Sequence, residues 1–253
     1  MSGGTAGGVY WTFAQLCAAV YTETNRTDLL AETQQAVAAA TLKLHTYKGE
    51  FFYKDLATGF GTFDTDGVSQ AAFIQTLDTA VFPRFRSLCY LRKWDPNYNT
   101  SQLNPNVLPP LYGSLQASGY TLANSQIALR GLKVLSPQDL MDDYWTEKVD
   151  VCYQAGNTIM IKSSTALSQF QIGFYQYPLI DQQNNFANYT SWIAQEYPYA
   201  IVYDAAGTVF SKIGQADAAA MYLRQPDQFG NNGGLAWEHI QSMLNSNIIA
   251  DGA

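Results

Sequence analysis

Charged residues are scarce in this chain, making up 14% of its 253 residues, whereas about 25% is typical of globular proteins. The net charge is −7, so the basic surface of a nucleic-acid-binding protein is not expected. No apolar run approaches the roughly 20 residues that a membrane-spanning helix requires. The composition therefore argues against a protein that grips nucleic acid and against one that spans a membrane.

Metal-binding and redox patterns are also missing. Cys17, Cys89 and Cys152 lie far apart, form no pair with metal-ligand spacing, and are odd in number for a disulfide framework. The glycine-rich first residues lack the charged and apolar regions of a signal peptide. We therefore expect reduced thiols in a protein made in a cytosol.

Catalytic signatures are equally absent. The chain contains no Gly-x-Ser-x-Gly, no P-loop and no His-Glu-x-x-His. His45 and His239 each lie near the end of a predicted helix, and we interpret both as structural. Residues 64–67 begin like a calcium loop but lack its third acid and closing glutamate, so we interpret them as a turn. The sequence predicts no enzyme, no cofactor and no metal site.

Aromatic residues are as frequent as charged ones, at 14%, and 17 of them are tyrosines. Abundant tyrosine with little charge is typical of large surfaces that face other protein. Tyrosine and phenylalanine are also good strand formers, so a β-rich domain would show the same composition. Both interpretations stay open on composition alone.

Helical patterns occupy the two ends of the chain. Thr12 and Gln15 have capping-box spacing ahead of a short helix, and a longer helix is predicted over residues 28–47. A short helix is predicted over residues 191–197. Apolar residues at steps of three and four predict the next helix, with Pro198 in its first turn and Gly214 as its cap. The candidate core residues of the resulting bundle are Leu16, Val37, Leu44, Trp192, Val202, Ala206, Val209, Phe210 and Ile213.

The middle of the chain has sequence patterns typical of β-strands. Strands are predicted at residues 51–54, 72–77, 84–91, 127–134, 149–153, 158–162 and 169–177, with turns at 59–61 and 155–157. A short helix is predicted from Ser136 to Tyr144, and residues 95–125 form a long loop. The predicted fold class is α+β: a small helical bundle made from the two chain ends, a mostly antiparallel β insertion, and a C-terminal helical arm. The corresponding domains are a flexible N-terminus at 1–9, the bundle at 10–49 and 186–224, the insertion at 50–185, and a hinge with a last helix at 225–253.

The last helix follows a glycine-rich joint. Its apolar residues share one face and are an aromatic-anchored candidate interface for a neighbouring protein. Docking on its own bundle is the alternative. The candidate interface residues are Trp237, Ile240, Met243, Leu244 and Ile248.

Several short segments resemble one protein family. Near the N-terminus they are Asn25-Arg26-x-Asp28, then Ala40-Thr41-x-x-Leu44-His45 and Lys54-Asp55. Toward the C-terminus they are the Ser136-Pro137-x-Asp139 segment, Tyr189-Thr-Ser-Trp192-Ile, Glu196-Tyr197-Pro198 and an alanine-rich helix ending in Ile213-Gly214. Together these are similar to head–tail adaptors, the connector or tail accessory proteins of short-tailed bacteriophages. Ser191 stands where the family usually has asparagine.

The resemblance implies a virion structural protein at the head–tail junction, synthesised in the host cytoplasm. It implies a homo-oligomeric ring, twelvefold to match the portal, that extends the DNA channel and contacts the tail nozzle or tail fibre proteins. DNA would pass through the lumen without specific binding, and no membrane would be involved.

A glycan-binding or peptidoglycan-cleaving tail protein is the alternative. Asp142, Asp143 and Glu147 could provide paired carboxylates. The aromatic side chains of Trp94, Tyr98 and Tyr112 could stack on sugars, although a place in a core explains them equally. A monomeric β-rich binding domain is a third possibility.

Overall fold

The computed structural model describes residues 11–62, 74–94, 129–136, 138–139, 148–164, 169–225 and 233–247. It divides the chain into two compact units, which we call the helical unit and the sheet unit. The helical unit combines Met1–Asp55 with Tyr177–Ala253, and the sheet unit is Leu56–Gln176. Each unit has its own hydrophobic core.

Six α-helices are described, all in the helical unit. They are α1 (Phe13–Thr24), α2 (Leu30–His45), α3 (Trp192–Glu196), α4 (Pro198–Lys212), α5 (Ala216–Leu223) and α6 (Leu235–Asn247). The predicted capping box is confirmed, because the Thr12 hydroxyl accepts from the backbone of Gln15 while the Gln15 side chain accepts from that of Thr12. Pro198 opens α4, and Gly214 after its end has a φ of +77°, as the local sequence predicted. Within the described ranges, no helix is both long and apolar enough to cross a membrane.

Helix α4 is the centre of the helical unit. It packs against α1, α2, α5 and α6, and its small residues Ala205 and Ala206 are fully buried. Gly207 permits the closest approach, since a Cβ there would lie 2.4 Å from Cγ of Leu223 on α5. The predicted core residues Leu16, Val37, Leu44, Val202, Ala206, Val209 and Phe210 are buried in this core, and Trp192 and Ile213 pack against it partly exposed.

The sheet unit contains one seven-stranded sheet. Its strands are β1 (Leu56–Thr62), β2 (Ile74–Asp78), β3 (Phe85–Trp94), β4 (Leu129–Val134), β5 (Val151–Ala155), β6 (Thr158–Lys162) and β7 (Gln169–Gln176). The order across the sheet is β1-β7-β3-β4-β5-β6-β2. All neighbouring pairs are antiparallel except β4 and β5, which are parallel.

The predicted fold class is wrong. The part of the chain that the structure describes is a mixed α/β protein with a seven-stranded curled sheet, a half-barrel, and six helices, and it is not a small helical bundle carrying a β insertion and an arm. The sheet has a core of ten buried side chains and is a compact unit in its own right. Helix periodicity in the sequence revealed the bundle, but nothing local indicated that all seven strands join one curled sheet.

The helical arm is part of this correction. Helix α6 packs on α4 and α5 of its own unit, with Ala236, Ile240 and Met243 buried in the common core. The backbone of Gly234 anchors its start by donating to the carbonyl of Arg224 at 2.7 Å. Part of the apolar stripe that suggested a partner is therefore buried within the helical unit.

Two local predictions in the β region also fail. Residues 51–54 were predicted as a strand, but the chain forms a 3₁₀ helix at Tyr53–Asp55. Gly59 and Gly61 were predicted to mark a turn, but both lie inside β1. A Cβ on Gly61 would lie 2.5 Å from the ring of Phe170, so glycine is needed here because a buried aromatic ring crosses the strand.

Other local predictions agree with the structure or fall outside it. The predicted turn at 155–157 is confirmed as the connection between β5 and β6. Ser136 and Asp139 form a reciprocal cap at the start of the helix predicted from Ser136 to Tyr144, and most of that helix lies outside the described residues. The flexible N-terminus at 1–9, the turn at 64–67 and the loop at 95–125 also lie outside them.

Candidate functional site

A buried hydrogen-bonded network centred on His45 joins both chain ends of the helical unit. Nδ1 of His45 lies 2.9 Å from Oδ1 of Asp55, and Nε2 lies 2.9 Å from the hydroxyl oxygen of Ser191. The indole N–H of Trp192 donates to the same Asp55 oxygen at 2.8 Å. His45, Asp55 and Ser191 are exposed by only 2%, 4% and 5%. The network therefore lies in the protein interior, where unpaired polar groups are costly.

Local structure explains how these residues meet. His45 is the last residue of α2, and positive φ angles at Lys48 and Gly49 turn the chain so that Asp55 comes back to it. Ser191 is the N-cap of α3, and its hydroxyl oxygen accepts from the backbone N–H of Ala194 at 3.2 Å. A proton on Nδ1 of His45 would be donated to Asp55, leaving Nε2 to accept from Ser191. Every polar atom of the imidazole then has a partner.

Further contacts between the same segments surround the network. The hydroxyl groups of Thr41 and Tyr189 lie 2.9 Å apart, and burial raises the pKa of Tyr189 to about 12. Lys54 pairs with Glu196 and lies over the ring of Trp192, 5.1 Å from its centroid. These contacts join the end of α2 and the chain after it to the start of α3.

The order Ser191–His45–Asp55 resembles the hydrogen-bond chain of a hydrolytic triad. A triad needs a nucleophile that substrate can reach, yet the Ser191 side chain is buried and its oxygen caps α3. Two cavities of the helical unit, of about 360 and 40 Å³, are lined by none of these three side chains. The geometry is that of a structural connection between the end of α2 and the start of α3.

The sheet unit has a second polar cluster, centred on a buried lysine. Lys93 on β3 has no exposed surface, pairs with Asp150, and donates to the hydroxyl of Ser163 at 2.8 Å. The Ser164 hydroxyl donates to Asp150 at 2.7 Å. Burial raises the pKa of Asp150, but its hydrogen bonds to Lys93 and Ser164 outweigh this and leave the pKa below its usual range.

The candidate interface on α6 is brought together on one helix face, but that face is turned inward. Met243 is fully buried and Ile240 nearly so, while Trp237 and Leu244 are partly buried against the core. Trp237 and Ile240 also line the 40 Å³ cavity with Asp204 and Tyr47. Ile248 lies outside the described residues. Contact of these residues with a neighbour or portal stays a prediction.

The residues of the glycan alternative are not placed by the structure. Asp142, Asp143, Glu147, Tyr98 and Tyr112 lie outside the described residues. Trp94 ends β3, but its side chain is not described. Within the described ranges, no group of three or more His, Cys, Asp or Glu side chains could hold a metal ion.

Sequence reasoning interpreted His45 as a structural residue without finding its partners. The available signal was the set of short segments that resemble the adaptor family. Ala40–His45, Lys54–Asp55, Tyr189–Trp192 and Glu196 all contribute side chains to this one network and its surrounding contacts. Comparison of the sequence with known proteins finds no relative: no protein-family profile and no curated protein sequence matches this chain.

Proposed function

We propose that this protein is a non-enzymatic structural subunit of a virion, the head-to-tail adaptor of a short-tailed bacteriophage. In this role it forms a ring beneath the portal, extends the DNA channel and joins the capsid vertex to the tail nozzle. The observation that carries the proposal is the His45 network. Four of the seven segments that resemble adaptors, at 40–45, 54–55, 189–193 and 196–198, contribute side chains to this network or to the contacts around it.

The chemistry of the network favours a structural role over catalysis. A catalytic histidine must exchange protons with a substrate, whereas His45 is enclosed by Asp55, Ser191 and the ring of Trp192. A buried hydrogen-bonded connection between the two chain ends suits a subunit that must keep its structure while neighbouring subunits apply force to it. The short family-like segments then need no active site to explain them.

The charge distribution is compatible with a DNA channel. The helical unit has 12 acidic and 6 basic residues, a net charge of −6, and the sheet unit has 9 acidic and 8 basic residues, a net charge of −1. Repeated around a ring, this charge would repel the DNA backbone and let DNA pass without being held. Tight binding of duplex DNA at physiological salt would contradict this part of the proposal.

The test is a mass measurement by light scattering on the protein alone and with the portal protein of the same virus. We expect a ring complex of about twelve copies on the portal, the number that the portal match implies. The control is His45→Ala, which should lose ring formation only to the extent that it loses folding. Wild-type protein that ignores the portal and stays monomeric at all concentrations would overturn the proposal.

A further inference from the structure

The face of the sheet away from its core carries an arginine that has no acidic partner among the described residues. The core side chains Leu91 and Ile172 point to one face of β3 and β7, so Arg92 and Gln171, paired directly across these strands, point to the other. Within the described ranges, Arg92 contacts no carboxylate. The chain has seven more acidic than basic residues. An arginine without a carboxylate neighbour in such a chain suggests that its acidic partner belongs to another molecule.

Arg92 lies against two neighbouring side chains. Its guanidinium lies over the ring of Tyr90, 4.8 Å from the centroid, and one N–H group donates to Oε1 of Gln171 at 3.4 Å. Tyr90 is in turn seated across Gly173, where a Cβ would be 2.2 Å from the tyrosine ring. A guanidinium fixed on an aromatic ring loses little freedom when it binds an oxyanion through two parallel hydrogen bonds.

The amide of Gln171 has an unused donor beside it. Gln171 is fully buried, and its Nε2 group has no hydrogen-bond partner among the described residues. In this orientation the amide oxygen accepts from Arg92 at 3.4 Å, which is a long hydrogen bond. Leaving a buried donor unpaired costs about 1–3 kcal/mol, which is the reason such a group calls for an acceptor.

The strand on the other side of Arg92 provides space. Gly131 on β4 is paired directly with Arg92, so the two face the same side of the sheet. A Cβ built on Gly131 would meet no atom within 4 Å. A small group could therefore approach Arg92 from β4 without moving the backbone.

We propose that Arg92 and Gln171 form a receptor for one carboxylate, and that in the ring this carboxylate belongs to a second copy of the chain. The carboxylate oxygens accept from the free N–H groups of Arg92, which is partly exposed, and reach the buried Nε2 of Gln171 once the guanidinium has turned away from the amide. The choice of a second copy rests on the proposed ring function. A phosphate of DNA is the competing oxyanion, and the test below includes it.

Charge complementarity favours a second copy as the source. Glu32, Asp217 and Glu238 are exposed acids in the first turns of α2, α5 and α6, and none has a cationic partner within the described ranges. They belong to the helical unit, whose net charge is −6. A ring requires two different surfaces on each subunit. An acidic helical unit and an unpaired arginine on the sheet unit meet that requirement.

The receptor itself is tested with a small probe, independently of any ring. N-acetylglutamate is titrated into isotope-labelled full-length protein at constant ionic strength while the side-chain N–H signals of Gln171 and Arg92 are followed. We expect saturable shifts of both signals, lost in Arg92→Ala and weakened about tenfold by Gly131→Val, which fills the free space without changing charge. Absence of saturable shifts in wild-type protein would overturn the receptor, and saturation by duplex DNA in preference to the carboxylate would overturn its assignment to a protein partner.

The source of the carboxylate is tested by assembly on the portal. Arg92→Glu should weaken ring formation at least about tenfold, and one of Glu32→Arg, Asp217→Arg or Glu238→Arg in the same chain should restore it. Arg26→Ala is the matched control, because its guanidinium is already paired with Asp28 inside the same chain. Normal rings from Arg92→Glu would overturn the second-copy inference and leave the adaptor proposal intact. Wild-type protein that forms no ring would overturn both the adaptor proposal and the second-copy assignment, while the probe titration would still decide the receptor.

Discussion

Nε2 of His45 and the hydroxyl oxygen of Ser191 lie 2.9 Å apart, although 146 positions separate them in the chain. One residue ends α2 and the other caps α3, so this hydrogen bond is one of those that connect the two segments of the helical unit. Asp55 on the other side of the imidazole makes the connection costly to break, because its carboxylate is buried.

Removing the imidazole should destabilise the helical unit strongly. His45→Ala leaves the buried carboxylate of Asp55 with only the indole of Trp192, and we expect a loss of about 3 kcal/mol in the free energy of unfolding. Urea denaturation followed by far-UV circular dichroism measures it. Ser191→Ala is the comparison and should cost about 1 kcal/mol, because it removes a helix cap and one neutral hydrogen bond. A larger loss for Ser191→Ala than for His45→Ala would contradict this account.

Gly61 in β1 should tolerate no side chain. Gly61→Ala places a methyl group against the buried ring of Phe170, and we expect a loss of about 1–3 kcal/mol. Gly131→Ala is the matched control, since its new methyl group meets no atom and should be neutral or stabilising by about 0.5–1 kcal/mol. Thermal unfolding of both variants measures the difference. The cost of Gly61→Ala should shrink in a Phe170→Leu background, and equal costs in both backgrounds would show that the ring is not responsible.

Asp150 should make the stability of the sheet unit depend on pH in the acid range. Its pKa is lower in the folded protein than the ordinary value of about 3.9. Its stabilising contribution is therefore complete above the ordinary value and is lost as the pH falls through the folded one. Hydrogen exchange of the β5 and β6 amides at a series of pH values measures this. Asp150→Asn should flatten the profile and Glu32→Gln should not, and an unchanged slope in Asp150→Asn would refute the assignment.

The three cysteines should differ sharply in reactivity. Burial raises the pKa of Cys17 to about 11 and that of Cys152 to about 12, so neither forms much thiolate near neutral pH. Cys89 is only partly buried. Brief treatment of native protein with iodoacetamide should label Cys89 first, with at least about tenfold less label on the other two. Peptide mass spectrometry gives the distribution, and urea-unfolded protein, in which all three should react alike, is the control.

Local features of the sequence were the ones that could be predicted. The spacing of Val202, Val209 and Phe210 indicated α4, and the caps at Thr12 and Gly214 followed from side-chain chemistry and the conformational freedom of glycine. These signals depend on residues within a few positions of each other. They therefore do not require knowledge of the tertiary structure.

Pairing across the chain could not be predicted in the same way. Glycines in β1 signal a turn unless it is known that Phe170 crosses the strand. The parallel pairing of β4 with β5, next to antiparallel neighbours, leaves no mark in the pattern of either strand. The partners of His45 share no periodicity with it. Only the joint occurrence of family-like segments could hint that Asp55 and Ser191 belong to the same site.

The first and last strands of the sheet unit are neighbours, with Leu56 directly opposite Tyr175. The chain thus enters and leaves this unit one strand spacing apart, about 5 Å. A gap of that size can be closed by a two-residue turn at little entropic cost. The segment of the gene that encodes the sheet unit could therefore be deleted, or exchanged for one that encodes another domain with adjacent ends. In both cases the two segments of the helical unit would stay close enough to fold together.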